Sequence, residues 1–386
     1  MASAHKAVGA SRAIPDAPAR PCSGRRVALA GDNPPATVPP AELLAELARA
    51  VQHNCDVVDA QHARDSGLCT YLLGMREYFR WVSRLTLGGK AEPGSVGTWI
   101  TQKERGWEAL LEGGTDRLVP LPVLGGLDPY EEEAANQVIA RNGLVYGAGI
   151  GRFGVPVFFL AQCESQALRD GIRILVAGEE HARGFAAPPA LSRGSTIVLR
   201  SDALRRWLWT RAEVAVARQP GDAFVMCLRA YEKTGHLDDT IERMARGELE
   251  TLLLHELGEL RAGRMLGPDW ECMLEHLSDR RAELVVRAVR DLLADCMVTL
   301  PELLERRAWA SLQFWYSNFD GMHRALAPQF LDARASNDGT IDREALQVAI
   351  TCGLKQWSSV GRELLGHWET GGREAVAAHT LALCPA

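Results

Sequence analysis

The run Thr251-Leu-Leu-Leu-His255-Glu256-Leu-Gly258-Glu259-Leu sets an imidazole and two carboxylates into an otherwise apolar segment. Residues four apart share a face of a helix, so His255 and Glu259 can reach one point, with Glu256 a fraction of a turn away. An imidazole nitrogen and a carboxylate oxygen suit a divalent cation, zinc first and iron also compatible, and a neighbouring carboxylate can accept a proton from water. At about 100° per residue, Glu248, His255 and Glu259 fall within roughly a 40° stripe, while Leu249, Leu253, Leu257 and Leu260 take the other side. Thr251, Gly258 and Ala262 flank the stripe with small side chains, which suits a stripe facing a pocket. The competing reading is an amphipathic helix with local pairs, such as Glu256 or Glu259 with Arg261 or Arg264.

A third ligand is expected from the next helix, about Cys272 to Leu300, where His276, Asp279 and Glu283 line one face. Glu283 and His276 are the candidates, although Glu283 with Arg287 is also an ordinary i,i+4 ion pair. A second constellation lies near the N-terminus: His53, Asp56, Asp59, His62 and Asp65. Asp59-x-x-His62 has the spacing of helical carboxylate-metal sites, and Asp320-x-x-His323 repeats it, so a helical two-metal carboxylate protein is a third reading. The plainer account is a helix-loop-helix junction whose Asp side chains cap the helix starting near Ser66.

The segment from Glu250 to Glu259 resembles the active-site helix of zincin metallopeptidases, which follows a small sheet. That resemblance implies that His255 is the first zinc ligand and Glu256 the general base, with an acid or His downstream completing the site. Glu259 stands where those enzymes carry their second His. The chain is also similar to an uncharacterised bacterial family of conserved hypothetical proteins. The segments that carry this are Cys69-Thr-Tyr-Leu-Leu-Gly-Met-Arg-Glu-Tyr-Phe-Arg-Trp81, the His255 helix, Arg290-Asp-Leu-Leu-Ala-Asp-Cys-Met-Val-Thr-Leu-Pro301 and Asn318-Phe-Asp-Gly-Met322. This second resemblance implies no activity.

Helices and a sheet must position these groups. At 386 residues, 47% hydrophobic and 24% charged, the chain can build one large or two medium cores. Its net charge of −6 argues against a nucleic-acid partner held by a basic face. Nine cysteines, odd in number and without a CxxC pair, read as reduced thiols, and no run is long and apolar enough to span a membrane. A soluble, cytoplasmic protein with no membrane partner is expected. Residues 1–40 are rich in Pro, Ala and Gly and read as a disordered leader, and residues 41–115 as a helical segment. Residues 116–386 read as an α+β domain. Short strands are expected at about 144–150, 155–161, 171–177 and 195–199, with helix again from about Asp202.

Three motifs are set aside. Gly149-Ile-Gly151-Arg-Phe-Gly154 matches GxGxxG, but a strand follows it, so it reads as a hairpin turn. Asn337-Asp338-Gly339 imitates a calcium loop whose first and twelfth positions would be Arg334 and Ala345, neither a ligand. Glu131-Glu132-Glu133 reads as a helix first turn. The fold class is therefore α+β, predominantly helical with a small central sheet and a helical C-terminal half. The leading function is a metal-dependent hydrolase of an amide or ester, using His255 and Glu259 as ligands and Glu256 as base. The alternative is a non-catalytic protein in which that helix is structural and Phe314-Trp315-Tyr316 is exposed for packing or a partner.

Overall fold

A computed structural model describes residues 40–215, 221–319, 321–335 and 337–384. The expected leader, apart from Pro40, and Asp320 lie outside the described residues. Five strands form one mixed sheet in the order β1-β2-β3-β5-β4: β1 (Leu144–Ile150), β2 (Pro156–Arg169), β3 (Ile172–Arg183), β4 (Ala190–Arg193) and β5 (Thr196–Arg200). Neighbours run antiparallel except β3 and β5, which are parallel. The sheet curls until its two edges meet, where Arg193 Nη1 of β4 donates to the Ala148 carbonyl of β1 at 3.0 Å.

The strands outrun the apolar segments that announced them. β3 continues through Gly178-Glu-Glu-His-Ala-Arg183 because its charges are paired inside: Glu180 meets Arg200 at 2.6 Å, and Arg183 pairs with Glu77. The four-residue β4 was not expected, since Ala-Leu-Ser-Arg carries no alternation long enough to read. Gly149 to Gly154 does form the turn of the β1–β2 hairpin.

Four helices precede or flank the sheet: α1 (Ala41–His62), α2 (Leu68–Val82), α3 (Ser95–Glu112) and α4 (Glu132–Ile139). The apolar stripe Leu47, Val51, Cys55 and Val58 of α1 joins Leu144, Tyr146, Phe158 and Leu160 in one core. The expected Asp caps before α2 are absent. That helix starts after Gly67 with no side-chain cap, and Asp65 instead pairs with His62 at 3.5 Å and Arg280 at 3.2 Å.

The helical half contains α5 (Ser201–Ala215), α6 (Ala223–Tyr231), α7 (Leu237–Leu266), α8 (Pro268–His276) and α9 (Arg280–Ala294). A π-helical turn, Asp295–Thr299, joins α9 to α10 (Leu300–Glu305). Then follow α11 (Trp309–Asn318), α12 (Gly321–Leu326), α13 (Gln329–Asp332) and α14 (Arg343–Leu383), the last bent at Gly372. The protein is thus α+β with a helical C-terminal half, and among the described residues no helix is long and apolar enough to cross a membrane. Asp338 Oδ1 accepts from Thr340 N at 2.9 Å, so the calcium-like stretch is an ordinary turn.

The thirty-residue α7 is the axis of this half, packed against β4, β5, α5, α6, α8, α9 and α11. An amphipathic helix shows one face to water, whereas α7 buries Leu249, Leu253 and Leu257, with Glu256 beside them, on one side and Glu248 and Thr251 on another. The aromatic run on α11 is also inside: Phe314, Trp315 and Tyr316 are buried, and Trp315 stacks on Phe319 at 4.8 Å. The expectation of an exposed aromatic surface is therefore corrected, because burying those rings removes a large apolar area from water.

Glu248 shows how α7 accommodates charge away from water. It is fully buried and accepts from Tyr231 Oη (2.8 Å), Thr251 Oγ1 (2.6 Å) and Ser311 Oγ (3.2 Å). It sits in this hydroxyl cage apart from His255, although the two share a stripe in projection. Burial pushes its pKa from about 4.5 up to about 7, against the pull of those hydroxyls. The folded state then holds a proton that the unfolded chain releases, so this contribution to stability is full below pH 4.5 and is lost as pH rises through about 7. That slope, about 3 kcal/mol by the linkage relation, is expected to vanish in Glu248→Gln. Chemical denaturation at pH 5 and pH 8 checks this, and a variant that keeps the wild-type slope would contradict it.

Candidate metal centre

Two helices, α7 and α9, come close at the glycine of the His-Glu-Leu-Gly-Glu run. A Cβ on Gly258 would stand 2.6 Å from the Ala294 carbonyl oxygen, so only glycine lets α7 and the end of α9 approach this far. The next residue, Asp295, opens the π turn, a wider turn that re-aims the side chains it carries and occurs often at functional sites. It thereby faces His255: the carboxylate Oδ1 is 2.8 Å from His255 Nδ1. Its other oxygen accepts from the buried Trp315 indole N–H at 2.7 Å. With Nδ1 taken, His255 turns Nε2 toward Glu259 Oε1 at 3.2 Å.

One turn before Asp295, Asp291 faces the same place. His255, Glu259 and Asp291 each offer a ligand atom within 4.8 Å of the others. Around them, His323 Nε2 lies 3.3 Å from Asp291 Oδ2, and Arg290 Nη2 lies 2.7 Å from Glu259 Oε2. Asp291 Oδ1 is buried without a hydrogen-bond partner. An imidazole held by a carboxylate on one nitrogen, with two further carboxylates before the other, is a donor set that suits a divalent cation.

The charges are mutually compensated. Burial works against a charged His255, yet Asp295, through its charge and hydrogen bond, and then Glu259 raise its pKa well above the usual imidazole range. Burial would likewise raise Asp291, but the His323 hydrogen bond and the charges of Arg290 and His255 hold it at about 2. Glu256 is different: burial, reinforced by the Glu259 charge, pushes it up to about 7, against His255 and the Ser192 hydroxyl of β4. A carboxylate near neutrality can both take and return a proton at physiological pH.

The structure brings together His255, Glu259 and, beside them, Glu256, and it leaves the other expected ligands elsewhere. Glu283 accepts from Phe153 N at 2.9 Å and from Arg287 Nε at 2.7 Å, which makes it the ion-paired residue of α9 rather than a partner of His255. His276 is exposed at the end of α8, its Nδ1 2.7 Å from the Cys272 carbonyl. The reason is a break: Asp279 caps α9 by accepting from Ala282 N, so residues 272–300 are two helices and only the far turns of α9 face α7. The N-terminal group is dispersed. His53 lies against the Arg117 carbonyl, Asp56 pairs with Lys103 at 2.7 Å, and Asp59 accepts from Phe185 N, so no two-metal cluster with His255 forms among the described residues. Of the expected second constellation only His323 comes near, through Asp291; Asp291 and Asp295 carry no signal in the sequence beyond the pair Asp291-x-x-x-Asp295 inside an apolar helix.

Glu259 and Arg290 open onto a groove of about 1150 Å³ between the sheet and the helical half. The glycine-rich β1–β2 hairpin and Arg193 wall it on one side, and α7, α8 and α9 on the other. Glu132, the first-turn acid of α4, also faces it, and burial pushes this carboxyl up to about 7 despite Arg193.

Two family models match the chain: the N-terminal domain of the family of unknown function DUF6866 over residues 46–200, and its C-terminal domain over residues 205–383. The chain belongs to this family of unknown function. The seam between the two matches falls where β5 passes into α5, so the curled sheet lies in the first domain, and the His255 helix with both aspartates lies in the second. No curated protein and no solved structure matches the chain.

The Gly258 contact generates a direct test. Gly258→Ala is expected to cost about 1 to 3 kcal/mol by overpacking and to loosen the Asp295 bond, which lowers the His255 pKa toward the ordinary imidazole value. Denaturation and NMR titration of the imidazole read both effects; unchanged values for each would show that α7 and α9 do not depend on this close approach.

Proposed function

We propose that this protein binds one divalent cation, zinc or iron, through His255 Nε2, Glu259 and Asp291, and uses it for hydrolysis of an amide or ester in the adjoining groove. The observation that carries this reading is the convergence of an imidazole and two carboxylates within 4.8 Å, with the imidazole oriented by Asp295 and Glu259 lining the groove. Bound there, the cation supplies Lewis-acid activation of water. Asp295 fixes the tautomer that leaves Nε2 free, and Trp315 holds Asp295. Glu256, held near neutrality and bonded to the edge strand β4, is the proton acceptor. Asp291 takes the part that the zincin resemblance assigns to a downstream acid, in place of Glu283 or His276.

A second reading is favoured by the 2.7 Å contact between Arg290 and Glu259. A guanidinium already balances that carboxylate, and the whole group can serve as an ion-paired seam locking α7 to α9, with no catalysis.

Elemental analysis of the purified protein separates the two. About one equivalent of zinc or iron is expected in the wild type, lost in His255→Ala and kept in Glu256→Gln, with hydrolysis of an activated ester falling by about a hundredfold or more in the latter. Stoichiometric metal in no sample would favour the ion-paired seam, and equal metal loss in both variants would contradict the separate roles. Binding needs neutral His255, whose pKa is raised, so zinc affinity is expected to climb with pH through and above the usual imidazole range and to release a proton. Calorimetry in buffers of different ionisation heat measures that proton.

A further inference from the structure

Arg290 occupies an unusual place for a residue beside a metal site. Its Nη2 is 2.7 Å from Glu259 Oε2 and 3.8 Å from Asp291 Oδ1, so one guanidinium edge faces two of the three proposed ligands. Its Nη1 lies 3.3 Å from Glu271 Oε1 on α8. The side chain is largely buried, and burial alone would discourage its charge, yet Glu259 first and then Asp291 and Glu271 hold it firmly protonated. A guanidinium does not lose its proton in proteins, so it cannot yield this position by neutralising. A divalent cation bound by Glu259 and Asp291 would meet that fixed positive charge at close range, in surroundings that screen it weakly.

The way out is already built. Glu271 is more than half exposed, touches Arg290 now, and lines the groove with it. A change of side-chain torsions would carry the guanidinium wholly to Glu271 without moving α9. Asp291 Oδ1, buried and without a hydrogen-bond partner, is the acceptor that Arg290 approaches but does not satisfy.

We propose that Arg290 is an internal counter-cation that competes with the divalent metal for Glu259, so that metal binding is an exchange in which Arg290 passes to Glu271. This rests on the metal reading above. The exchange sets the affinity of the site and couples its occupancy to the groove, because Arg290 and Glu271 are groove residues. It also accounts for the Glu at position 259: a carboxylate offers either a metal or a guanidinium a negative charge and two acceptor oxygens, whereas a neutral His would offer the guanidinium a single uncharged acceptor.

The test is zinc affinity, measured by competition with a chromophoric chelator on full-length wild type, Arg290→Met, Arg290→Lys and Glu271→Gln, together with denaturation after chelator treatment. Arg290→Met is expected to bind zinc roughly ten- to a hundredfold more tightly, the usual scale for groups around a metal's ligands. It should also be less stable than wild type without zinc and regain stability with it. Arg290→Lys, with a single donor point in place of the fork, should bind between the two. Glu271→Gln, an exposed change that removes the refuge, should bind several-fold more weakly. Equal zinc affinity in all four proteins, or weaker binding in Arg290→Met and Arg290→Lys, would overturn the exchange while leaving the metal site standing; zinc bound by none would overturn both. If Arg290→Met does not fold, the ranking of Arg290→Lys, wild type and Glu271→Gln still decides the question.

Discussion

The contact between Gly258 and the Ala294 carbonyl is the constraint on which the site depends. Burying charge is costly unless each group finds an opposite charge or a hydrogen bond at close range. The close approach of α7 and α9 satisfies that requirement on one line of contact. It brings Asp295 to His255, leaves His255 facing Glu259, and gives Glu259 to Arg290. A wider separation would leave buried carboxylates and an imidazole without partners. The π turn contributes the remaining rotation, directing Asp295 at the imidazole and at the Trp315 indole together.

The rest of the fold serves this seam at longer range. The curled sheet closes one wall of the groove, with β4 lying along α7 so that Ser192 reaches Glu256. The aromatic packing around Trp315 makes Asp295 rigid from behind. Acids recur along α7, and the structure treats them differently: Glu248 receives three hydroxyls and the Cys227 thiol, all uncharged, and is pushed toward its neutral form, while Glu259 receives a guanidinium and an imidazole. One helix thus carries a proton-holding carboxyl and an ion-paired carboxylate about three turns apart, separated by what each one touches.

Local patterns were read well where they reflect local forces. The span of β1, the hairpin at Gly149 to Gly154 and the α+β class follow from periodicity and turn chemistry that neighbouring residues settle among themselves. The pairing of His255 with Glu259 follows from helical spacing in the same way. The expected third members, Glu283 at the start of α9 and His276 at the end of α8, lie away from His255, and Asp291 on a later turn of α9 faces it instead. Spacing ranks candidates along a helix but does not show which turn of that helix meets another one.

What the sequence by itself determined is therefore the kind of chemistry available: an imidazole and carboxylates on one face of an apolar helix, and a glycine between them. Tertiary structure decided which groups share a site. Asp291, Asp295, His323 and Arg290 reach His255 and Glu259 through the packing of α7, α9 and α12. It also decided that Phe314 to Tyr316 turn inward and that Glu248 stands apart from His255. The physical reason is one of range: hydrogen-bonded turns and side-chain periodicity act over a few residues, whereas the burial of charge is resolved only between segments that sequence distance keeps apart.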